Sequence, residues 1–409
     1  MTRLVEPDGG NHPEPSAEPL NIEDPVGRLP EEWQAALTAL GERAFRAKQL
    51  FRWLHQRAEF EPEKMSDLSV SFRARLREAG VSAPFRVDTV HESKDGTRKL
   101  VLEANDGARV ESVIIPMTDL SDADAGASDE SDESDESDDD GALGTKSRVT
   151  LCISTQYGCA MGCVFCASGQ AGLVRGLRAS EIVSQVYLAK RYLRPDEQLS
   201  NLVFMGMGEP LHHYEQTARA LRLLTHPEGL GMSPRRITVS TVGLTPGIER
   251  LGRDFAGKIG LAVSVHAPND ETRDKLIPMN RRYPVAELMR ALRAYPLPKR
   301  RRITIEYTLI DGVNDSLNHA RELGAILRGI PSKINLIPMN PISASELRSP
   351  KAEAVRQFQD ILANAGYSCF VRTRRGDEVA AACGQLAMAD DLVRKKRERE
   401  DLRSLAKKS

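Results

Sequence analysis

Three of the chain's six cysteines stand four and three residues apart in the stretch Gly158-Cys159-Ala160-Met161-Gly162-Cys163-Val164-Phe165-Cys166-Ala167. Cysteine thiolates are the ligands of iron-sulfur clusters, and a loop of this spacing can wrap three sulfurs around a cubic cluster. Three ligands leave the fourth iron open, as a cluster needs if it is to chelate a small molecule and pass it an electron. Two simpler readings stand beside this one: a zinc site whose fourth ligand lies elsewhere, and cysteines that merely pack as small buried hydrophobes.

A second stretch, Met205-Gly206-Met207-Gly208-Glu209-Pro210, puts Gly208 and Glu209 side by side. Glycines let the backbone approach a ligand closely, and a carboxylate can receive an ammonium group. Alone this is a turn as often as a site. Ser240, the trio Ser264-Val265-His266, and Asn340 then fall at the ends of strand-like runs. His266 by itself reads as a satisfied core histidine, but the shared position at strand ends makes a cofactor pocket the better account.

These residues need elements to hold them. Residues 1–29 are rich in Pro, Glu and Gly and read as a flexible tail. Over 30–82 apolar residues fall at helical spacing: Trp33, Ala36, Leu37 and Leu40, then Leu50, Trp53 and Leu54, then Leu68, Phe72, Leu76 and Ala79 before Gly80. This predicts a small helical domain whose basic residues suit RNA docking. Across 83–118 the period changes to two, with Asp95-Gly96 and Asp106-Gly107 as hairpin turns. Glu111 stands inside the third run, where alternation alone leaves it exposed. Residues 119–145 form a low-complexity acidic insertion and are expected to be disordered.

Between 146 and 390, apolar strand-like runs alternate with helical stretches: 149–154, 202–205, 237–241, 259–265, 303–310 and 333–337, with a final run at 368–373. Thr245-Pro246 and Ser349-Pro350 each offer an N-cap followed by proline. Such alternation implies right-handed crossovers and a parallel sheet, hence an α/β fold. Six units suggest a partial (β/α)6 barrel with ligands at the carboxyl ends of its strands. Residues 391–409 read as a basic tail.

The 409 residues carry a formal charge of -1, but the charge is unevenly spread. Outside residues 1–29 and 119–144 there are 55 basic and 40 acidic side chains, a net of +15. The bases cluster at Arg235-Arg236, Arg281-Arg282, Lys299 to Arg302, Arg372 to Arg375 and Arg394 to Arg399, which favours a polyanionic partner. No apolar run approaches a membrane span, no signal peptide opens the chain, and six cysteines are too sparse for a disulfide framework. A cytoplasmic protein with no membrane partner is expected.

Taken together, Cys159, Cys163 and Cys166 with Phe165 resemble the cluster loop of the radical S-adenosylmethionine superfamily. From roughly residue 30 to 390 the chain is similar to the RlmN-type dual-specificity RNA methyltransferases. Val110-Glu111-Ser112-Val113-Ile114-Ile115-Pro116, Cys152 seven residues before Cys159, and Arg375-Gly376-Asp377-Glu378 with Ala381-Ala382-Cys383-Gly384-Gln385-Leu386 carry that likeness. The acidic run between Glu111 and Cys152 departs from the family pattern.

The resemblance implies a 4Fe-4S cluster on the three cysteines and S-adenosyl-L-methionine, two per turnover, bound by Gly208, Glu209, Ser240, Ser264, Val265, His266 and Asn340. It implies methylation of carbon 2 of an adenine in 23S rRNA and tRNA. Cys383 would carry the methyl group and bond transiently to RNA. Glu111 would act as base, and Cys152 would resolve the adduct by forming a disulfide with Cys383. Cys369 has no matching role. An electron donor such as flavodoxin or ferredoxin and a monomeric chain are expected. Rival readings are a Cfr-like enzyme acting at carbon 8, a non-catalytic iron-sulfur RNA-binding protein, and a radical enzyme acting on a peptide.

Overall fold

A computed structural model describes residues 22–39, 41–117, 146–342 and 345–386. The acidic insertion, the basic end at 391–409 and most of the N-terminal tail lie outside the described residues. Helices α1 (Pro30–Ala39), α2 (Phe45–His55) and α3 (Val70–Glu78) form where helical spacing placed them. Their apolar stripes are buried: Trp33 and Leu37, Leu50 and Leu54, Phe72 and Leu76. Ser69 caps α3 by accepting the Phe72 N–H at 3.3 Å. His55 Nδ1 lies 2.9 Å from the Tyr187 hydroxyl, tying this unit to the rest of the chain. Residues 22–29, expected within the flexible tail, are folded: Ile22 and Val26 are buried, and the Ser180 N–H donates to the Asp24 carboxylate at 3.4 Å. Leu29 packs against the same core, so three apolar side chains anchor this short segment.

Strands β1 (Phe85–Glu92), β2 (Arg98–Ala104), β3 (Arg109–Pro116) and β4 (Ser147–Cys152) pair antiparallel in that order. Gly96 and Gly107 take positive φ in the two hairpin turns, as the Asp-Gly pairs require. A short antiparallel ribbon follows, β5 (Gln156–Gly158) with β6 (Leu173–Gly176), and the cysteine loop runs between its strands. The sheet then continues in parallel through β7 (Glu197–Phe204), β8 (Ile237–Thr241), β9 (Gly260–Ser264), β10 (Ile303–Leu309), β11 (Ser332–Pro338) and β12 (Ser368–Val371).

Helix α4 (Ala167–Ala171) follows the cysteine loop. The crossovers contain α5 (Ala179–Lys190), α6 (Tyr214–Thr225), α7 (Thr245–Asp254), α8 (Asp270–Leu276), α9 (Val285–Ala294), α10 (Leu317–Ile326) and α11 (Ala352–Asn364). The ten-stranded sheet has β1 and β12 as its two edges, so it is open. It also curls: Thr150 on β4 and Phe370 on β12 line the same cavity. The expected α/β fold is present, as an open sheet that is parallel from β4 to β12 and extended by the antiparallel hairpins at one edge. Strand β10 shows how it is filled. Tyr307 faces outward onto Phe358 of α11, with ring centroids 5.2 Å apart, while Glu306 and Thr308 face the interior cavity.

Both expected proline-marked caps shift. Thr245 is the first residue of α7 rather than its cap, and α11 begins after Lys351, two residues beyond Ser349-Pro350. The Ser349 hydroxyl donates to the Pro350 carbonyl at 3.4 Å, and α11 starts after Lys351 without a side-chain cap.

Candidate functional site

At the carboxyl ends of the parallel strands lies a cavity of about 920 Å³, counting the space open to solvent. Cys159, Cys163 and Cys166 form part of its wall. Their loop is fixed at both ends: the Cys159 N–H donates to the Gly172 carbonyl at 3.2 Å, and the Val164 N–H donates to the Leu276 carbonyl at 3.1 Å. Gly158 takes φ 76°, and a Cβ there would stand 1.9 Å from the Gly172 oxygen, so only glycine lets β5 and β6 close behind the loop.

Burial pushes the Cys159 thiol up to about 12, and raises Cys163 and Cys166 as well, with neighbouring thiols adding repulsion. A bound cation reverses that balance by taking thiolates. A structural zinc site closes with four N or S ligands on one ion. A cluster takes each thiolate at a different iron. Cys159, Cys163 and Cys166, lining one cavity, supply that donor set, and Cys383, whose segment is hydrogen-bonded to Ala167, lines the same cavity.

The remaining wall suits a donor-rich ligand. Gly208, at φ 106°, packs on Gln156, where a Cβ would come within 2.6 Å of its side chain. Glu209 is buried and accepts the N–H groups of Leu211 at 3.0 Å and Val242 at 2.9 Å. Burial still pushes its carboxyl up to about 7. A cation arriving in the cavity would favour its ionised form. Ser240, Ser264 and His266 line the same wall. His266 has positive φ, accepts the Thr308 N–H on Nδ1 at 2.8 Å and packs edge-on against Phe165 at 4.6 Å. Burial brings it down to about 3, so it is neutral at physiological pH. Asn340 Oδ1 and Glu306 Oε2 are buried acceptors with no hydrogen-bond partner among the described residues. A ligand carrying ammonium and hydroxyl hydrogens, as S-adenosylmethionine does, can satisfy such atoms. Val265 does not line the cavity; its carbonyl instead accepts from Arg273 Nε at 2.9 Å.

A second cavity, of about 1,410 Å³ including open space, adjoins the first. Cys383 lines both. Its segment is pinned on the partition: Asn340 Nδ2 donates to the Cys383 carbonyl at 2.9 Å, and the Ala167 N–H donates to the Gly384 carbonyl at 2.8 Å. Arg372, on the wall of both cavities, brings Nη1 to 3.5 Å from Cys383 Sγ. The second cavity mixes Met117, Val203 and Phe370 with Arg374 and Arg375.

Cys152 ends β4 and is buried. Burial first, and then the nearby Cys383, push its thiol up to about 12, so the two sulfurs lie within electrostatic reach. All six cysteines are free thiols, so this pair is not bonded in the structure.

Glu111 overturns the exposure that alternation assigned it. Strand β3 is covered on both faces. Ser112 turns to α5 and donates to Gln185 Oε1 at 2.8 Å, while Glu111 faces the other way with Lys99 Nζ 2.9 Å from Oε1. Glu111 lies on neither cavity wall, but Lys99 also donates to the Ala380 carbonyl at 3.5 Å, in the segment leading to Cys383. Cys369 is half-buried in β12 and packs against the core. Glu306 and Arg273 were not singled out by type or spacing, since the first sits in an apolar run and the second among other charges; Arg372 was marked only as part of the basic cluster Arg372 to Arg375.

Known proteins resemble this chain in sequence and fold. The model of the Radical SAM superfamily matches residues 153–323, and that of the ribosomal RNA large subunit methyltransferase N-terminal domain matches residues 29–81. A dual-specificity RNA methyltransferase RlmN of Sorangium cellulosum is 58% identical over 370 residues, covering 89% of this chain and 95% of the relative. The RlmN of Marinobacter nauticus is 42% identical over 377 residues, covering 91% and 93%. The crystal structure of a radical SAM methyltransferase from Sphaerobacter thermophilus is 40% identical, with a TM-score of 0.77, and covers 88% of this chain and 98% of that one. With the helical unit and the cysteine loop each matched by a family model, and a relative 58% identical over 89% of the chain, the chain belongs to the RlmN family of radical SAM dual-specificity RNA methyltransferases.

Proposed function

We propose that this chain methylates carbon 2 of an adenine in 23S rRNA and in tRNA, with Cys383 as the methyl carrier. The observation that carries this reading is the position of Cys383 on the boundary of two cavities, one walled by the cluster cysteines and one edged by arginines.

Carbon 2 of adenine is electron-poor, so direct displacement on a methylsulfonium does not reach it. In the first stage the Cys383 sulfur takes a methyl group from one S-adenosylmethionine: the new S–C bond forms as the sulfonium C–S bond breaks. Arg372 stands against that sulfur. When bound, the cluster supplies the one-electron chemistry that activates the carried methyl group, using a second S-adenosylmethionine and an electron donor of the flavodoxin or ferredoxin kind. Glu209 receives the cofactor's ammonium. Gly208, Ser240, Ser264, His266 and Asn340 shape its pocket, with Val265 behind them. Cys159, Cys163 and Cys166 hold the cluster. Glu111, positioned by Lys99, accepts the ring proton, and the Cys152 thiolate then attacks the Cys383 sulfur: the S–S bond forms as the S–C bond to the RNA breaks, and the released carbon takes up a proton to become the methyl group. A substrate of this kind puts the reaction in the cytoplasm, and a single chain contains every group named.

The test is anaerobic reconstitution, an iron count, and methylation of unmodified ribosomal and transfer RNA with mass-spectrometric mapping of the methyl group. Methyl at carbon 2 supports the proposal; methyl at carbon 8, or none, overturns it.

A further inference from the structure

Glu306 is a carboxyl group in the middle of an apolar strand, and it is 3% exposed. The parallel register sets it beside Ser264 of β9 and Asn335 of β11, so the three side chains rise from the same face of the sheet. Asn335 Nδ2 donates to Glu306 Oε1 at 3.0 Å, which fixes the head of the side chain. Oε2 has no hydrogen-bond partner among the described residues, and Glu306 lines the same cavity as Glu209, Ser264 and the three cysteines. Thr308, two residues along β10, lines that cavity too, so Glu306 lies one step further from the strand's carboxyl end.

A buried carboxyl oxygen with no partner costs free energy that a ligand's donor restores. Burial raises this carboxyl, while Arg372, Asn335 and Lys333 favour its ionised form. A hydroxyl suits both states, since it donates to a carboxylate and accepts from a carboxylic acid. The other donors of S-adenosylmethionine fit less well. Its ammonium goes to Glu209 on the proposed reading, and Glu209 follows β7, three strands away in the sheet at about 4.8 Å per strand. Its adenine amine lies between ring nitrogens that are acceptors, which a carboxylate repels.

We propose that Glu306 binds the ribose of the cofactor, its Oε2 pairing with the 2′- or 3′-hydroxyl. This rests on the reading that the cavity takes S-adenosylmethionine. Glu306 anchors the adenosyl end and Glu209 the amino-acid end, so the sulfonium between them is held from both sides. The pocket therefore selects a ribose-bearing ligand over a deoxyribose one.

The experiment is a calorimetric titration of the reconstituted full chain, unreduced and without RNA, for wild type, Glu306→Gln and Glu306→Ala. The probes are S-adenosylhomocysteine, which has no methyl group to transfer, its 2′-deoxy and 3′-deoxy analogues, and the analogue lacking the adenine amine. Wild type is expected to bind the parent probe roughly ten- to a hundredfold more tightly than at least one deoxy analogue. Glu306→Ala should lose that preference, and Glu306→Gln, which keeps an oxygen for Asn335, should fall between the two. Wild type that binds both deoxy analogues as tightly as the parent overturns the proposal whether or not the variants fold. A variant that keeps the wild-type preference, whatever its overall affinity, has lost only structure and overturns it too. So does a loss that disappears only with the analogue lacking the amine. A reconstituted wild type that binds none of the probes overturns both this proposal and the functional reading beneath it, whereas RNA left unmethylated by a chain that binds them normally counts against the functional reading alone.

Discussion

The Arg372 guanidinium lies 3.5 Å from the Cys383 sulfur, at the meeting of the two cavities. A cation against a sulfur stabilises the negative charge that sulfur needs as a nucleophile. Arg372→Gln is therefore expected to slow methyl loading of Cys383 by roughly ten- to a hundredfold, the range that losing a hydrogen bond to a charged group produces. Mass spectrometry of the Cys383 peptide measures it. Wild-type loading by Arg372→Gln would rule the role out. Cys383→Ala should abolish RNA methylation while leaving reductive cleavage of S-adenosylmethionine intact.

Cys152 is expected to act after the methyl group has reached RNA. Burial and Cys383 hold its thiol at about 12, so it remains protonated and unreactive until the surroundings change. Cys152→Ala should accumulate a covalent protein-RNA species, visible as a shifted band under denaturing conditions. Clean multiple turnover by that variant would remove Cys152 from the mechanism.

Glu209 gives a pH signature with a definite sign. Its folded-state value, pushed up to about 7 by burial, exceeds the ordinary 4.5. The stabilisation is thus fully present below about pH 4.5 and is lost as pH rises through 7, a swing of about 3 kcal/mol at most. Melting curves of the cofactor-free chain should show this component, and Glu209→Gln should lack it. With S-adenosylmethionine bound, calorimetry near pH 6 should detect proton release that the variant does not make.

Lys99 and Glu111 form a buried pair, with Nζ 2.9 Å from Oε1. Lys99→Met strips that ammonium from a buried carboxylate and should destabilise the chain by about 3 kcal/mol. Adding Glu111→Gln should recover more than half of the loss, because a neutral amide costs less to bury. Denaturant unfolding of both variants measures the coupling.

Sequence reading went furthest where the chemistry was local. Cys159, Cys163 and Cys166 share one loop, so their spacing marked them; Gly208 and Glu209 share one turn, which became a site candidate only beside the other strand-end residues and the family likeness. Cys383 is far along the chain, and only family likeness tied it to the cluster loop; the fold brings it to the same cavity through Asn340 and Ala167. Glu111 misled alternation because β3 is covered on both faces, a property of its neighbours rather than of its own pattern. Arg273 sits in Asp270-Glu271-Thr272-Arg273-Asp274-Lys275, which reads as a solvated helix face. Nothing in that run announces a buried cation. The caps at Thr245 and Ser349 failed for a similar reason, since an N-cap needs a geometry that the following chain decides.

The partition that holds Cys383 separates two chambers, so on the proposed chemistry the donor and the nucleic acid never need to share a room. The chain works as a shuttle with a single berth. On that chemistry it can store one methyl equivalent and no more, so a fully charged preparation given a single further equivalent of S-adenosylmethionine is limited to at most one modified base per polypeptide.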